Sequence, residues 1–233
     1  MEYEDFRRCV KNFEDYYWFG EYVYFKALEE FERVRADLSK IDSEEHLEKI
    51  AGVFLAQWGQ MGRTVFRKES WQDLADQLRR AENEFKELEG KSLLDVDLND
   101  KETLESIKEA YNAVRAKYIG PTAVSKILHL LNPELFIMWD EKIREEIKER
   151  IKGEKGVFPK NADGYVEFLR FMKNEIVEAL NEEATRRGCS KIEIVKEVCT
   201  DLPSKNLDPE YRRKTLAKLI DEYNWWKVRE KPR

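Results

Sequence analysis

Helix breakers are scarce in this chain, with ten Gly and six Pro in 233 residues, and they cut it into lengths that only helices fill well. An all-β chain of this size needs a turn every few residues, which so few breakers cannot supply. Between the breaks, apolar residues recur at i, i+3, i+4 and i+7, the period of an amphipathic helix. Leu74, Leu78, Ala81 and Phe85 mark a helix over 71–88. Leu104, Ile107, Ala110, Tyr111 and Val114 mark one over 102–117. Phe168, Leu169, Met172, Ile176 and Leu180 mark a long one over 165–187, stopped by Gly188. Asp163 is its expected cap, and Ser43 the expected cap of a helix carrying Leu47, Ile50, Val53 and Phe54. Further helices are expected over 190–199 and 210–223, with Asn224-Trp225-Trp226 beyond. The predicted fold is an all-α multi-helix bundle, a single domain over 1–233 with candidate lobes at 1–98 and 99–233.

Charged residues make up 39% of the chain, against roughly 25% in ordinary domains. This Lys/Glu-rich composition matches the bias of heat-adapted proteins, for which a thermophilic origin is the expectation. The net charge of −6 excludes a basic footprint spread over the whole surface, though not a local patch. Cys9, Cys189 and Cys199 form no Cys-x-x-Cys pair, and His46 and His129 stand alone, so neither a zinc site nor another metal or cofactor is expected. Asp95–Asp100 alternates acids in the manner of a calcium loop, but the glycine and terminal glutamate of such a loop are out of register. The acidic start lacks the apolar core of a signal peptide, and no run is long enough to span a bilayer. A cytoplasmic protein without a membrane partner is the expectation.

Residues 118–143 hold the densest signal. Gly120-Pro121 is a stop followed by a start, because proline is tolerated in the first turn of a helix. The helix it opens is almost wholly apolar, yet Thr122, Ser125, Lys126 and His129 share one face. Asn132-Pro133 breaks the helix, and Trp139-Asp140 leads into the next, with Asp140 placed to cap it. A polar stripe near a carboxylate makes Asp140, Lys126 and His129 candidate catalytic groups. Trp58-Gly59 with Gly62 predicts a close backbone approach or a kink, and Arg63, Arg67 and Lys68 after it offer contacts to a polyanion. Tyr16, Tyr17, Trp18, Phe19, Tyr22, Tyr24 and Phe25 form an N-terminal aromatic cluster suited to core packing or to stacking planar ligands.

The order of helix, glycine turn, buried helix and Asp at the head of another helix resembles the helix-hairpin-helix DNA glycosylase superfamily. There a Leu-Pro-Gly-Val-Gly hairpin precedes a buried helix, with a catalytic Asp roughly twenty residues beyond the second glycine. Gly120 matches that glycine and Asp140 that Asp. Tyr118 stands in place of the first glycine, and Thr122 in place of the lysine of bifunctional members. Lys126 lies one turn further along the same face. The resemblance implies a monofunctional type of chemistry, in which the Asp positions water or stabilises positive charge on the sugar of a flipped nucleotide. It also implies nucleic-acid contacts around Gly120, Thr122 and Ser125, joined by Arg63, Arg67 and Lys68. The chain further looks like a group of bacterial and archaeal helical proteins of unknown function. These combine a Trp-Gly element (Trp58-Gly59), a Ser-Lys-x-Leu-His-x-Leu-x-Pro-x-Leu-Phe-x-x-Trp-Asp element (Ser125–Asp140) and a Lys-Leu-Ile-Asp-Glu-Tyr-Asn element (Lys218–Asn224). The alternative to nucleic-acid binding or processing is a noncatalytic interaction module or homodimer, suggested by the N-terminal aromatics and the Trp225-Trp226 pair.

Overall fold

In the computed structural model the described residues are 1–17, 20–59, 61, 68–152, 159–200 and 214–230, with the side chains of Lys68 and Lys152 also left aside. Of the described residues 78% are helical, and no strand occurs among them. The helices are α1 (Tyr3–Tyr17), α2 (Glu21–Arg35), α3 (Lys68–Arg80), α4 (Glu82–Glu87), α5 (Lys101–Val114), α6 (Pro121–Leu131), α7 (Glu141–Lys152), α8 (Ala162–Arg187), α9 (Lys191–Thr200) and α10 (Leu216–Glu230). Between α2 and α3 the chain forms wide π-helical segments, Ser43–Gly52 and Phe54–Trp58. No described helix is long and apolar enough to cross a membrane.

Caps set most of the boundaries. Asp100 accepts from the Thr103 N–H at 2.9 Å and starts α5, which ends at Val114, short of the predicted 117. Asn161 accepts from the Gly164 N–H at 3.0 Å and caps α8. Asp163, the expected cap, instead pairs with Lys108 at 2.7 Å. Asp42 takes the role expected of Ser43, accepting from the backbone of Glu44 and Glu45 at 2.8 and 2.7 Å. Gly188 closes α8 in the left-handed conformation, φ +68°, a C-terminal stop that favours glycine. The helix expected over 71–88 starts three residues earlier and breaks at Ala81 into α3 and α4.

The last helix runs on past the predicted end at 223 and carries Trp225 and Trp226 within it. The reason is packing against α1. Phe13 meets Trp225 edge-on at 5.1 Å, and Lys227 pairs with Asp5 at 3.1 Å. Residues 210–213, where that helix was expected to begin, lie outside the described residues.

At the centre sits α6, flanked by α2 and α5. Every residue from Ala123 to Leu131 is buried, the polar ones included. The segment Leu135–Trp139 that follows is also buried. Of the five described aromatics in the N-terminal cluster, three serve this interior: Tyr17, Tyr24 and Phe25 are buried, while Tyr16 and Tyr22 remain 63% and 54% exposed. Trp18 and Phe19 lie outside the described residues.

Candidate functional site

Three elements place Asp140. Asn132 ends α6 and ties it down, its amide donating to the Leu88 carbonyl at 2.9 Å while its side-chain oxygen accepts from the Leu135 N–H at 3.2 Å. Ser125 then clamps the far end of the connection. Its hydroxyl accepts the Trp139 N–H at 3.1 Å and lies 3.0 Å from the Thr122 carbonyl and 3.2 Å from that of Trp139. The indole of Trp139 donates to the Pro121 carbonyl at 3.2 Å. With Trp139 fixed from both ends, Asp140 stands at the head of α7 and accepts the Ile143 N–H at 2.9 Å.

Asp140 opens into a cavity of about 210 Å³ enclosed by α1, α6, α7, α10 and the π-helical turn at Trp58. Its charged lining is Lys126, Asp140, Asp221 and Arg229, and its aromatic walls include Trp58, Trp139 and Trp225. Gly59 forms part of the wall because no side chain fits there. A Cβ would lie 2.5 Å from the Leu55 carbonyl and 3.1 Å from the Lys126 Nζ. The close approach expected of Trp58-Gly59 is therefore an approach to Lys126, whose ammonium lies 3.4 Å from the Gly59 carbonyl and 4.9 Å from the Trp58 ring centre.

Burial governs the electrostatics. It lowers the Lys126 pKa, against the pull of Asp221 and Asp140. It raises Asp221 to about 7, with Lys218 and Lys126 opposing and Glu222 and Asp140 adding to the rise.

The stripe on α6 divides. Lys126 reaches the cavity, whereas Ser125 acts as the clamp and His129 is enclosed at 0% exposure. The Phe136 carbonyl, 2.6 Å from His129 Nδ1, can only accept, so Nδ1 carries the hydrogen. Nε2 therefore accepts from the Tyr24 hydroxyl at 2.8 Å. Both nitrogens are occupied inside the core, which leaves His129 no route to a ligand in the cavity. Gly120 caps α6 with an ordinary φ of −80°, and a Cβ there would meet nothing within 4 Å. The left-handed residue of the turn is Tyr118, at φ 67°. Arg63 and Arg67 lie outside the described residues, as does the side chain of Lys68, which opens α3.

Burial drives the His129 pKa down to about 3, only partly offset by its bond to Phe136. An unfolded histidine takes its proton near pH 6.5. Between about 6.5 and 3 the unfolded chain thus binds the proton and the folded one does not, so this group's stabilising contribution is lost as pH falls. Glu21 and Asp221, both raised to about 7 by burial, act with the opposite sign, binding protons in the folded state first. A melting curve therefore blends the two effects, whereas the ring resonances of His129 separate them. The His129 imidazole is expected to stay neutral, as the Nδ1–H tautomer, from pH 8 to pH 4.5 in NMR titration. A midpoint above pH 6 would contradict the buried arrangement.

Against one wall of the cavity lies a buried charge cluster, its three carboxylates wholly shut off from solvent. Glu14 of α1, Glu21 of α2 and Glu222 of α10 converge so that their carboxylate oxygens lie within 4.8 Å of one another. Lys214 contacts all three, with Glu21 at 2.8 Å, and Lys218 bridges Glu222 at 2.5 Å and Glu21 at 3.3 Å. Trp58, a cavity wall, donates its indole N–H to Glu21 at 3.3 Å. Three hard oxygen donors would suit a divalent cation, but two ammonium groups already stand among them. The carboxylates outweigh burial at Lys218 and raise its pKa, whereas burial wins at Lys214 and brings it down to about 7. Residue spacing does not reveal this cluster, since its carboxylates come from three helices. The one signal is Lys218, Asp221 and Glu222 within the otherwise apolar run Leu216–Tyr223.

Set against models of known protein families, curated proteins and solved structures, the chain matches none of them.

Proposed function

We propose that the cavity receives a planar, base-like ring and that the protein binds or processes nucleic acid, with Asp140 as the carboxylate facing the reacting sugar. The observation that carries this reading is the convergence of Asp140 and Lys126 with three tryptophans on one cavity. Flipped bases are held in this way, stacked between aromatic walls with polar groups at their edges. At about 210 Å³ the cavity is smaller than the 300–1,000 Å³ or so that whole drug-sized ligands occupy, so it has room for a ring and leaves the sugar and phosphate outside. Two acids and two bases in its lining favour a neutral ring over a charged ligand. Further support comes from Tyr118, left-handed at the position where the hairpin of the resembled glycosylases has a glycine.

In the processing version, the bond between C1′ and the base breaks with its electron pair leaving on the base. Water adds to C1′, and its proton passes by way of the Asp140 carboxylate to the departing base, which returns Asp140 to its ionised form. Asp140 stabilises the positive charge that develops on the sugar between those events.

The test is binding to single- and double-stranded DNA and RNA across a salt series. Affinity should fall steeply with salt, as phosphate neutralisation requires. No binding at low salt would retire the reading. A noncatalytic interaction module or homodimer is the second reading, favoured by Tyr16 and Tyr22, which stay exposed on neighbouring helices. Sedimentation of a dimer together with no nucleic-acid binding would establish it.

A further inference from the structure

We propose that Asp221 reads the hydrogen-bonding edge of the ring bound in the cavity, preferring a heterocycle with a basic ring nitrogen beside an exocyclic amino group, as in adenine and cytosine. This rests on the base-binding reading above and adds the selectivity of the site.

Each other charged group of the lining already has a partner. Asp140 caps Ile143, Lys126 reaches the Gly59 carbonyl, and Arg229 donates to the Trp225 carbonyl at 3.3 Å. Asp221 is 5% exposed, lines the cavity, and leaves Oδ2 without a hydrogen-bond partner. A buried carboxyl oxygen with nothing to bond is costly, and a ligand edge would remove that cost. The helix supplies the geometry. Asp221, Trp225 and Arg229 stand at i, i+4 and i+8 on α10, so one helix face brings a carboxyl and an indole to the same cavity, with the Arg229 guanidinium lying over that indole.

The protonation state sets what Asp221 can recognise. A neutral carboxyl offers a donor beside an acceptor, complementary to N1 and the amino group of adenine or N3 and the amino group of cytosine. A basic ring nitrogen shares the acid proton and forms a charge-assisted pair, which uracil, lacking such a nitrogen, cannot. The ionised carboxylate offers acceptors only and matches the two donors, N1–H and the amino group, of guanine. Burial holds the Asp221 carboxyl near 7, with Glu222 of α10 and Asp140 before α7 favouring the neutral form, and Lys218 of α10 and Lys126 of α6 the charged one. Lys214, before α10, also senses the Asp221 charge, and Arg229 lines the same cavity. Preference should therefore turn over near neutrality.

The experiment is quenching of tryptophan fluorescence in the full-length protein by adenosine, cytidine, guanosine and uridine at pH 6 and pH 8. At pH 6, adenosine and cytidine should bind about tenfold more tightly than the other two, in keeping with the discrimination one bidentate pair provides. By pH 8 that advantage should vanish, with guanosine gaining. In Asp221→Asn the amide can pair but holds no shareable proton, so both the adenosine-over-uridine preference and its pH dependence should disappear. Asp221→Leu should lose edge recognition altogether. If nucleosides bind with the same order and pH response in wild type and Asp221→Asn, the role of Asp221 is overturned while base binding stands. If no nucleoside binds the folded wild-type protein at either pH, the base-binding reading fails and this inference falls with it.

Discussion

Lys218→Met is expected to destabilise the protein by about 3–5 kcal/mol, the usual cost of stripping one partner from a buried ion pair. At roughly 2–4 °C per kcal/mol for a chain of this size, the melting temperature should fall on the order of 10 °C. Lys218 is fully enclosed and bridges Glu21 and Glu222, and its ammonium lies 4.8, 4.9 and 5.1 Å from the ring centres of Phe13, Tyr24 and Trp58. Methionine fills similar space but returns none of this charge, which leaves Lys214 alone against Glu14, Glu21 and Glu222. The loss should be largely reversed in the triple variant Lys218→Met/Glu21→Gln/Glu222→Gln, because the penalty lies in the unbalanced charge and not in missing bulk. Thermal melts of the three proteins at pH 7 decide the matter. A single variant melting within about 2 °C of wild type would show that Lys218 is not the counter-ion holding α2 to α10.

That cluster marks where the sequence stops being informative. Helical periodicity locates α5, α8 and α9 to within a few residues because each buries one face along its own length. Periodicity cannot say what surrounds a helix. The stripe of Ser125, Lys126 and His129 is legible as a shared face of α6, but α2 and α5 enclose that helix, so two of the three become internal fasteners. Asp140 is legible as a cap and as a residue of the candidate cavity, because both follow from the same short connection. Asp221 is not, since its importance depends on α10 crossing α1 and meeting the Asp140 turn, a tertiary event no local spacing encodes. The N-terminal aromatics illustrate the same limit: composition shows their excess, and only packing separates the buried Tyr17 and Tyr24 from the exposed Tyr16 and Tyr22.

Asp140→Asn separates the two roles of that residue. Asparagine caps a helix about as well as aspartate, so the bond from the Ile143 N–H should survive and stability should change by less than about 1 kcal/mol. Asp140→Ala removes the cap as well and should lose about 1 kcal/mol more. The charge itself is gone in both. If the cavity binds a base as proposed, nucleic-acid affinity should hold or tighten slightly in Asp140→Asn, since a negative group has left the neighbourhood of the phosphodiester backbone. Processing should fall about 10²–10⁴-fold, the range attached to losing a positioned acid–base or charge-stabilising group. Two neighbours would shift in step, because Asp140 helps raise both Lys126 and Asp221. Their pKa values should therefore move down in the variant, measurable by NMR of the labelled side chains. Turnover equal to wild type in a folded Asp140→Asn protein would remove Asp140 from the chemistry and leave it a cap. Lost turnover with unchanged melting and intact binding would place the carboxylate at the reacting sugar.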